Sequence, residues 1–474
     1  MWAAELARAV LTGFSWFVLV YFVLINSSYM VLMVLAGFDI TRQRRRAPYQ
    51  GQVDGYANPL LPRVAVLIPA FNEEVCIVEA VEAMFAMRYP WVDVVVIDDG
   101  STDATFAVLQ RAFDLVEMPL VIIEDVAVLG AVTSVHVGAT NRNLSVVRKE
   151  NSGRADSLNV GINVASAPLV CTVDADSLLD PDALLHVVQP FLTDPDRVIA
   201  TGGVVRLVNG AEVVAGRVHN VIMPKQWLTR IQVVEYLRAF LLGRAGWSKL
   251  GSLLVVSGAF GLFRRDVLVS VGGMDASTIG EDAELVVRLH RRMREEGRDY
   301  RIVFVTEPVS WTEAPETAKV LARQRRRWSR GLAEIMWKHR GLIGNPRYGR
   351  IGLLAMPYYL VFELLAPLVE LVGLIAVVIG LALGVVDVSF AVILAMVAFG
   401  YALVLSLLVV LIEELSFHRY HRLRDVGIAV IAMLIENLGY RQLTAWWRVQ
   451  GLWAAARGRT QVWGEMTRSG FHPK

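Results

Sequence analysis

The chain has 474 residues, 55% of them apolar and 19% charged, and a mean hydropathy of +0.46. These values exclude an ordinary soluble protein and leave room for a catalytic domain of ~250 residues plus membrane segments. A formal net charge of +2 excludes nucleic acid as a bulk partner, and two cysteines, Cys76 and Cys171, provide neither a disulfide framework nor metal-ligand spacing.

The apolar run from Phe14 to Phe38 is too long for a signal-peptide core and long enough to cross ~30 Å of hydrocarbon. Residues 1–46 therefore read as a membrane anchor with a span over about 14–37. Arg42, Arg44, Arg45 and Arg46 follow it, against Arg8 before it, so the positive-inside rule places the next segment in the cytoplasm. Residues 47–62, with Pro48, Gly51, Gly55, Pro59 and Pro62, read as a linker.

A soluble-type domain is expected over 63–345. Residues 64–69 predict a short buried strand, which runs through Ala70-Phe71-Asn72-Glu73-Glu74 into a helix at about 75–87. Residues 92–97 predict a second strand, closed by Asp98-Asp99-Gly100-Ser101-Thr102-Asp103 before another helix. This alternation predicts an α/β fold with a mostly parallel sheet, whose ligands sit beyond the carboxyl ends of the strands. Val/Ile runs within 114–147 hold another strand. Asn151 to Asn159 opens a helix, and 167–173 is a strand ending in Asp174-Ala175-Asp176. Two carboxylates at a strand end can reach one divalent cation and the phosphates it holds.

Residues 226–242 place Trp227, Ile231, Val234, Leu237 and Leu241 on one helical face and Thr229, Arg230, Gln232 and Arg238 on the other. The segment reads as an interfacial helix, with a packing helix of the soluble domain as the alternative. Val255 to Gly261 is a Gly/Ser-rich strand–loop where backbone can approach a substrate. Gly280-Glu281-Asp282 opens a helix running to about Glu296. In a helix over 322–328, Gln324, Arg327 and Trp328 share one face. That face offers an amide, a guanidinium fork suited to a diphosphate, and a flat plate suited to a sugar ring.

Residues 346–447 form a membrane region. A surface helix to about Phe362 precedes spans at about 364–384 and 389–412, joined by a turn at Val385 to Val388. The charged stretch 413–425, with Arg419, Arg422 and Arg424, is cytoplasmic by the same rule. The helix at about 426–446 has an apolar part of only ~15 residues before Arg441 and contains Glu436, so it reads equally as a span or a re-entrant helix. Residues 448–474, with Arg457, Arg459, Arg468 and Lys474, form a basic cytoplasmic tail.

Four strings in this order, Asp98-Asp99-Gly100-Ser101, Asp174-Ala175-Asp176, Gly280-Glu281-Asp282 and Gln324-Arg325-Arg326-Arg327-Trp328, resemble the D, DxD, TED and QxxRW motifs. These mark processive family 2 glycosyltransferases: cellulose, chitin, hyaluronan and poly-N-acetylglucosamine synthases. The string Thr312 to Thr317 looks most like the bacterial poly-N-acetylglucosamine and cellulose branch, and the resemblance covers about residues 60–340.

The resemblance implies a GT-A-type nucleotide-sugar-binding domain flanked by transmembrane helices. Such an enzyme is a multi-pass protein of the bacterial plasma (inner) membrane, inverting, and supplied with a UDP-sugar for a growing β-linked glycan. Ala70, Phe71, Glu73, Asp98 and Asp99 would line the uridine pocket, and Arg154 would meet the donor phosphates. Asp174 and Asp176 would hold Mg²⁺ or Mn²⁺. Asp282 would be the general base, with Glu281 beside it in the catalytic motif. Gln324 and Arg327 would steady the leaving diphosphate and the acceptor, and Trp328 would stack on the acceptor sugar. Glu363 and Glu370, two helical turns apart, would line a path for the glycan, with an interface position as the alternative for Glu363.

The sequence departs from the family where Arg154 replaces a lysine, where Gly280 replaces the threonine of TED, and in its small number of spans. The last departure implies a partner subunit, a homo-oligomer, or a short or lipid-linked product. Transfer of one or a few sugars to a lipid therefore stays open, although Trp328 argues against it. A non-catalytic, nucleotide-binding subunit has only Arg154 and Gly280 in its favour.

Overall fold

A computed structural model of the chain describes residues 2–46, 58, 60–119, 122–214, 217–417 and 423–458. Most of the expected linker lies outside these residues, as do Arg419, Arg422, Arg459, Arg468 and Lys474 and the side chains of Arg42, Arg44, Arg45 and Arg46. The chain divides into two compact units, Ile40–Ile222 with Trp247–Ala314, and Met1–Asp39 with Met223–Gly246 and Pro315–Gly464.

The first unit is built on a ten-stranded sheet. Its central strands β1 (Val64–Ala70), β2 (Val92–Asp98), β5 (Leu144–Lys149) and β6 (Leu169–Val173) run parallel in the order β5-β2-β1-β6. They are rich in Val and Ile and buried almost throughout, as a sheet covered on both faces requires. Ala70 pairs with Asp98, so the loops after β1 and β2 leave the sheet at one level.

The sheet as a whole is mixed. Beyond β6 come β11 (Phe260–Arg264), β8 (Val198–Leu207), β12 (Arg301–Thr312) and β7 (Leu178–Leu179); β12 is parallel to β8 and β11 antiparallel to both its neighbours. Within 114–147 the single expected strand is resolved into β3 (Leu115–Glu117), β4 (Val132–Gly138) and the start of β5, paired antiparallel. The turn after Gly138, through Asn141 and Asn143, divides one Val-rich stretch into a hairpin. Of Val255 to Gly261, only Phe260 and Gly261 are strand. A two-stranded hairpin, β9 (Glu212–Val214) and β10 (Arg217–Asn220), stands apart from the main sheet.

Helices α2 (Ile77–Phe85), α3 (Thr105–Phe113), α4 (Arg154–Val164) and α5 (Ala183–Thr193) follow the strands. α4 is buried along nearly its whole length, and a Cβ at Gly161 would stand 2.9 Å from a Leu67 methyl, so glycine permits this close helix–sheet approach. Cys171 lies in the core, as does Cys76 at the start of α2, and neither is in a disulfide.

α7 (Glu281–Glu295) carries the buried His290, whose Nε2 donates to Leu253 O at 2.8 Å while Nδ1 accepts from the Tyr300 hydroxyl at 2.7 Å. Burial lowers this imidazole from 6.5 to about 4. The unfolded chain then binds the proton first as pH falls below 6.5. His290 thus contributes stability that is complete above that pH and is lost progressively toward pH 4, about 3 kcal/mol in all. We expect the unfolding temperature to fall between pH 7 and pH 5, and to fall distinctly less in His290→Gln. Equal acid sensitivity in the two proteins would refute this role.

The second unit is helical. α1 (Trp2–Arg46) is one helix of 45 residues, of which Arg8–Phe38 is long and apolar enough to span. Ile351–Leu364 and α9 (Ala366–Ala382) form a pair bent by 42°, long and apolar enough to span only when taken together. α10 (Val388–Ala395) continues through a π-helical turn into α11 (Tyr401–Phe417), with Val388–Ile412 as a second candidate. A third, Arg424–Ala456, comprises α12 (Leu423–Ile435) and α13 (Arg441–Ala456), but Leu438 and Gly439 between them leave helical geometry, Gly439 at φ 98°. By length and composition three helices among the described residues qualify as spans, or four with the bent pair.

Two features differ from the sequence reading. In α6 (Trp227–Tyr236) the face expected to be polar is covered: Thr229 and Gln232 are buried, and Gln232 Nε2 donates to Pro315 O at 2.8 Å. Arg238, just beyond α6, pairs with Glu436 at 2.5 Å. The second difference concerns α8 (Ala318–Lys338), which carries Gln324, Arg327 and Trp328. It groups with the apolar helices, so the sheet unit ends at Ala314 and not near 345. α8 meets α13 closely: Ser329 Oγ donates to Arg448 O at 2.8 Å, and a Cβ at Gly451 would collide with Arg326 O. Glu363 accepts from the Tyr29 hydroxyl at 2.9 Å and faces Arg448 at 3.7 Å, while Glu370 pairs with Arg441 at 3.0 Å. Both acids thus have cationic partners, as a carboxylate among apolar helices requires.

Candidate active site

Four loops emerge at the carboxyl edge of the parallel strands. The first two are laced together: Asn72 N donates to Ser101 Oγ at 3.0 Å, Thr102 N to Asn72 Oδ1 at 2.8 Å, and Glu73 N to Thr105 Oγ1 at 2.8 Å. Ala70, Asp98 and Asp99 are buried beneath this lacing, whereas Phe71 is exposed and Glu73 half-buried. Asp98 Oδ1 accepts from Ser101 N at 3.0 Å, and Oδ2 lies 3.5 Å from Arg148 Nε. The Arg148 guanidinium also lies 4.3 Å from the centre of the Phe106 ring.

Asp99 is the anchor of the third loop. Its Oδ1 accepts from Lys149 Nζ at 2.7 Å and Ser152 N at 3.0 Å, and its Oδ2 from Gly153 N at 2.8 Å. Lys149 has a fully buried side chain, with a second carboxylate, Asp156, 3.1 Å away. Burial alone would raise the Asp156 carboxyl, but hydrogen bonds from Ser152, from the N–H groups of Leu129 and Gly130, and from Lys149 outweigh it and hold the group below its usual range. Neither Lys149 nor Asp156 stands out in the sequence, where Lys149 is the middle of an Arg-Lys-Glu triplet typical of an exposed strand end. Gly100, at φ 70°, lets this loop close, since a Cβ there would stand 2.9 Å from Asn151 N.

The fourth group gathers residues far apart in the chain. Arg154, the first residue of α4, donates from Nε to Asp174 Oδ1 at 2.9 Å, from Nη1 to Glu281 Oε1 at 2.7 Å, and from Nη2 to Gly258 O at 2.7 Å. Asp282 Oδ2 accepts from Gly258 N at 2.9 Å and Oδ1 from Ala283 N at 2.8 Å. Glu281 and Asp282 sit in the first turn of α7, where peptide dipoles favour anions. Burial acts to lower the Arg154 guanidinium, but Asp174, Glu281 and Asp282 overcome this and drive it further up, so it stays cationic. Burial pushes the Glu281 carboxyl above its ordinary range; Arg154 opposes this and the neighbouring Asp282 reinforces it.

Gly258 is the residue on which this geometry turns. A Cβ there would lie 3.3 Å from Asp282 Oδ2 and 3.4 Å from Arg154 Nη2. Gly258→Ala is expected to shift both groups by a few tenths of an ångström and to lower kcat about tenfold, with the unfolding temperature nearly unchanged. Steady-state kinetics beside a melting curve checks it, and an unchanged kcat would refute it.

Asp174 and Asp176, at the end of β6, offer carboxylate oxygens alone, and the described residues contain no group of three or more His, Cys, Asp or Glu placed to hold a metal. A hard, incomplete oxygen set suits Mg²⁺ or Mn²⁺ that completes its shell with phosphate and water oxygens, not an ion caged by protein.

In the helical unit, Gln324 is buried and its Oε1 has no hydrogen-bond partner among the described residues; Arg327 is half-buried and Trp328 is 39% exposed. The Arg325 guanidinium lies 4.7 Å from the centre of the Trp328 ring and donates from Nη2 to Glu235 Oε2 at 2.7 Å. The Tyr440 hydroxyl donates to the same oxygen at 2.9 Å. The indole is therefore oriented by Arg325, a residue the helical-face argument left out.

A family model described as "Glycosyltransferase like family 2" matches residues 62–331. The probable glycosyltransferase YdaM of Bacillus subtilis (strain 168) is 27% identical over 286 residues, 59% of this chain and 57% of that protein. A poly-beta-1,6-N-acetyl-D-glucosamine synthase of Staphylococcus aureus (strain COL) is 28% identical over 278 residues, 58% of this chain and 56% of that one. The match thus spans little more than half the length of these relatives. Among solved structures, the mannosyltransferase PcManGT from Pyrobaculum calidifontis, in complex with GDP-Man and Mn²⁺, shares the fold at a TM-score of 0.52 and 19% identity, covering 90% of this chain and 99% of that one. Because the family match runs through all four loops and into α8, this chain belongs to glycosyltransferase like family 2 and is a glycosyltransferase.

Proposed function

We propose that this glycosyltransferase is an inverting enzyme that polymerises sugar from a UDP-sugar into a β-linked polysaccharide and passes it across a bacterial plasma membrane. The sheet unit would be cytoplasmic, with spans near 14–37, 364–384 and 389–412 and a broken helix at 426–446. The observation that carries the reading is the fixing of Asp282 by Gly258 N and Ala283 N beside the Arg154 cluster. Each Asp282 oxygen accepts one backbone bond and keeps a lone pair, so the carboxylate can take a proton from an acceptor hydroxyl. The hydroxyl oxygen bonds to the anomeric carbon as the bond to the diphosphate breaks, and the electron pair leaves on UDP.

Arg154, Gln324 and Arg327 are the cations and amide we assign to the diphosphate, Phe71 and Glu73 with Ala70, Asp98 and Asp99 to the nucleoside, and Trp328 to the acceptor sugar. Mg²⁺ or Mn²⁺ bound by Asp174 and Asp176 would neutralise charge on the leaving diphosphate. The name of the Staphylococcus relative supports N-acetylglucosamine as the sugar.

The test is nucleotide release by the detergent-purified full chain with UDP-N-acetylglucosamine, UDP-glucose, UDP-glucuronate and GDP-mannose, each with Mn²⁺ or Mg²⁺, followed by product sizing. UDP release with a ladder of long glycans is expected. Turnover with GDP-mannose alone would overturn the donor. Short products alone would favour the second reading, transfer of one or a few sugars to a lipid, which the small number of candidate spans among the described residues supports.

A further inference from the structure

The segment joining α8 to the apolar helices has no part in the chemistry above. It carries Arg340, Arg347 and Arg350, with Lys338 at the end of α8 just before it, and no acidic residue occurs from 335 to 362, Glu334 lying one turn before Lys338. All four cations are exposed, and Trp337 beside them is 73% exposed.

This segment is folded, not loose. Leu342 N donates to His339 O at 2.9 Å, Asn345 N to Leu342 O at 3.1 Å, and Gly344 N to Gly352 O at 2.9 Å. Asn345 Oδ1 caps the short helix Pro346–Tyr348 by accepting from Arg347 N at 3.0 Å. Any side chain at Gly352 would collide with Asn345 O, so the chain closes on itself just as the apolar helix begins. The Arg340 guanidinium lies 4.9 Å from the centre of the Trp337 ring. Leu353 and Leu354, immediately after the knuckle, are exposed apolar side chains.

A compact knuckle thus presents four like charges and an indole where the chain turns into its apolar helices. Indole and guanidinium are the side chains that settle at headgroup depth. Basic clusters of this size beside an apolar helix attract anionic leaflets. We propose that residues 337–350 form a docking surface for anionic lipid headgroups, with the four cations meeting phosphates and Trp337 seated at the interface. The proposal requires only that the apolar helices lie in a bilayer and is independent of the sugar transferred.

The probe is dioleoylphosphatidylglycerol against dioleoylphosphatidylcholine, added to the detergent-purified full chain at low salt. The charged lipid is expected to raise the apparent unfolding temperature of the wild type by about 3 °C over the neutral one. The variant Arg340→Gln/Arg347→Gln/Arg350→Gln is expected to lose at least half of that difference and to retain fewer phosphatidylglycerol molecules in native mass spectrometry. Arg347→Gln alone, a milder change at an exposed position, is expected to lose a smaller part and decides the matter if the triple variant folds poorly. An equal shift in the variants, no preference for the charged lipid in the wild type, or reproduction of the shift by inorganic phosphate would each overturn the proposal.

Discussion

Asp282→Asn is expected to lower nucleotide release by ~10²–10⁴-fold while UDP still binds and the fold persists. The substitution keeps the size and shape of a side chain held by two backbone N–H groups, at 2.9 and 2.8 Å. The amide oxygen can still accept one of those bonds. The amide nitrogen cannot accept the other, and neither atom can take a proton at neutral pH. The loss should therefore appear in kcat and not in the affinity for UDP, because an interaction made only in the transition state has been removed. A coupled assay for UDP release beside a titration of UDP binding separates the two, and turnover within tenfold of wild type would remove Asp282 from the role of base. Glu281 provides the contrast. Its carboxylate is bonded to Arg154 at 2.7 Å, so it positions a cation and is not placed to act as the base.

Lys149→Met is expected to destabilise the protein by about 3–5 kcal/mol, the cost of leaving buried charge without its partner. The ammonium is fully enclosed and lies 2.7 Å from Asp99 and 3.1 Å from Asp156. Methionine fills nearly the same volume, so packing is kept and the loss is electrostatic. The apparent unfolding temperature should drop by roughly 10 °C. Neutralising all three groups, as Lys149→Met with Asp99→Asn and Asp156→Asn, should recover part of the loss, because no net charge is then stranded. A shift under 2 °C for the single variant would show that the triad does not hold the loop. Activity should fall as well, since Asp99 also anchors Ser152 and Gly153, and Arg154 follows them directly.

Much of the site can be read along the chain because its parts are local. β1 and β2 are apolar runs that end at charged or turn-forming residues, and β6 ends at Asp174, so each motif falls at a strand end by pattern alone. Glu281 and Asp282 open a helix in the same legible way. What escaped was every feature requiring a partner distant in sequence. Lys149 looks like a surface residue until Asp99 and Asp156 enclose it. Arg325 looks like one more cation in a run until Glu235 and Trp328 are beside it. The polar face of α6 suggests water, yet Gln232 finds the carbonyl of Pro315 instead.

The sequence by itself determined the α/β alternation, the order of the acidic loops and the apolar segments, since periodicity, turn residues and span length act between near neighbours. Only the tertiary structure decided that Arg154 bridges Asp174 and Glu281, that α8 belongs with the apolar helices, and that the last helix breaks at Leu438 and Gly439. Those outcomes follow from charges and polar groups that must find partners once water is excluded, and the partners come from whichever segments the fold brings near, at any distance along the chain.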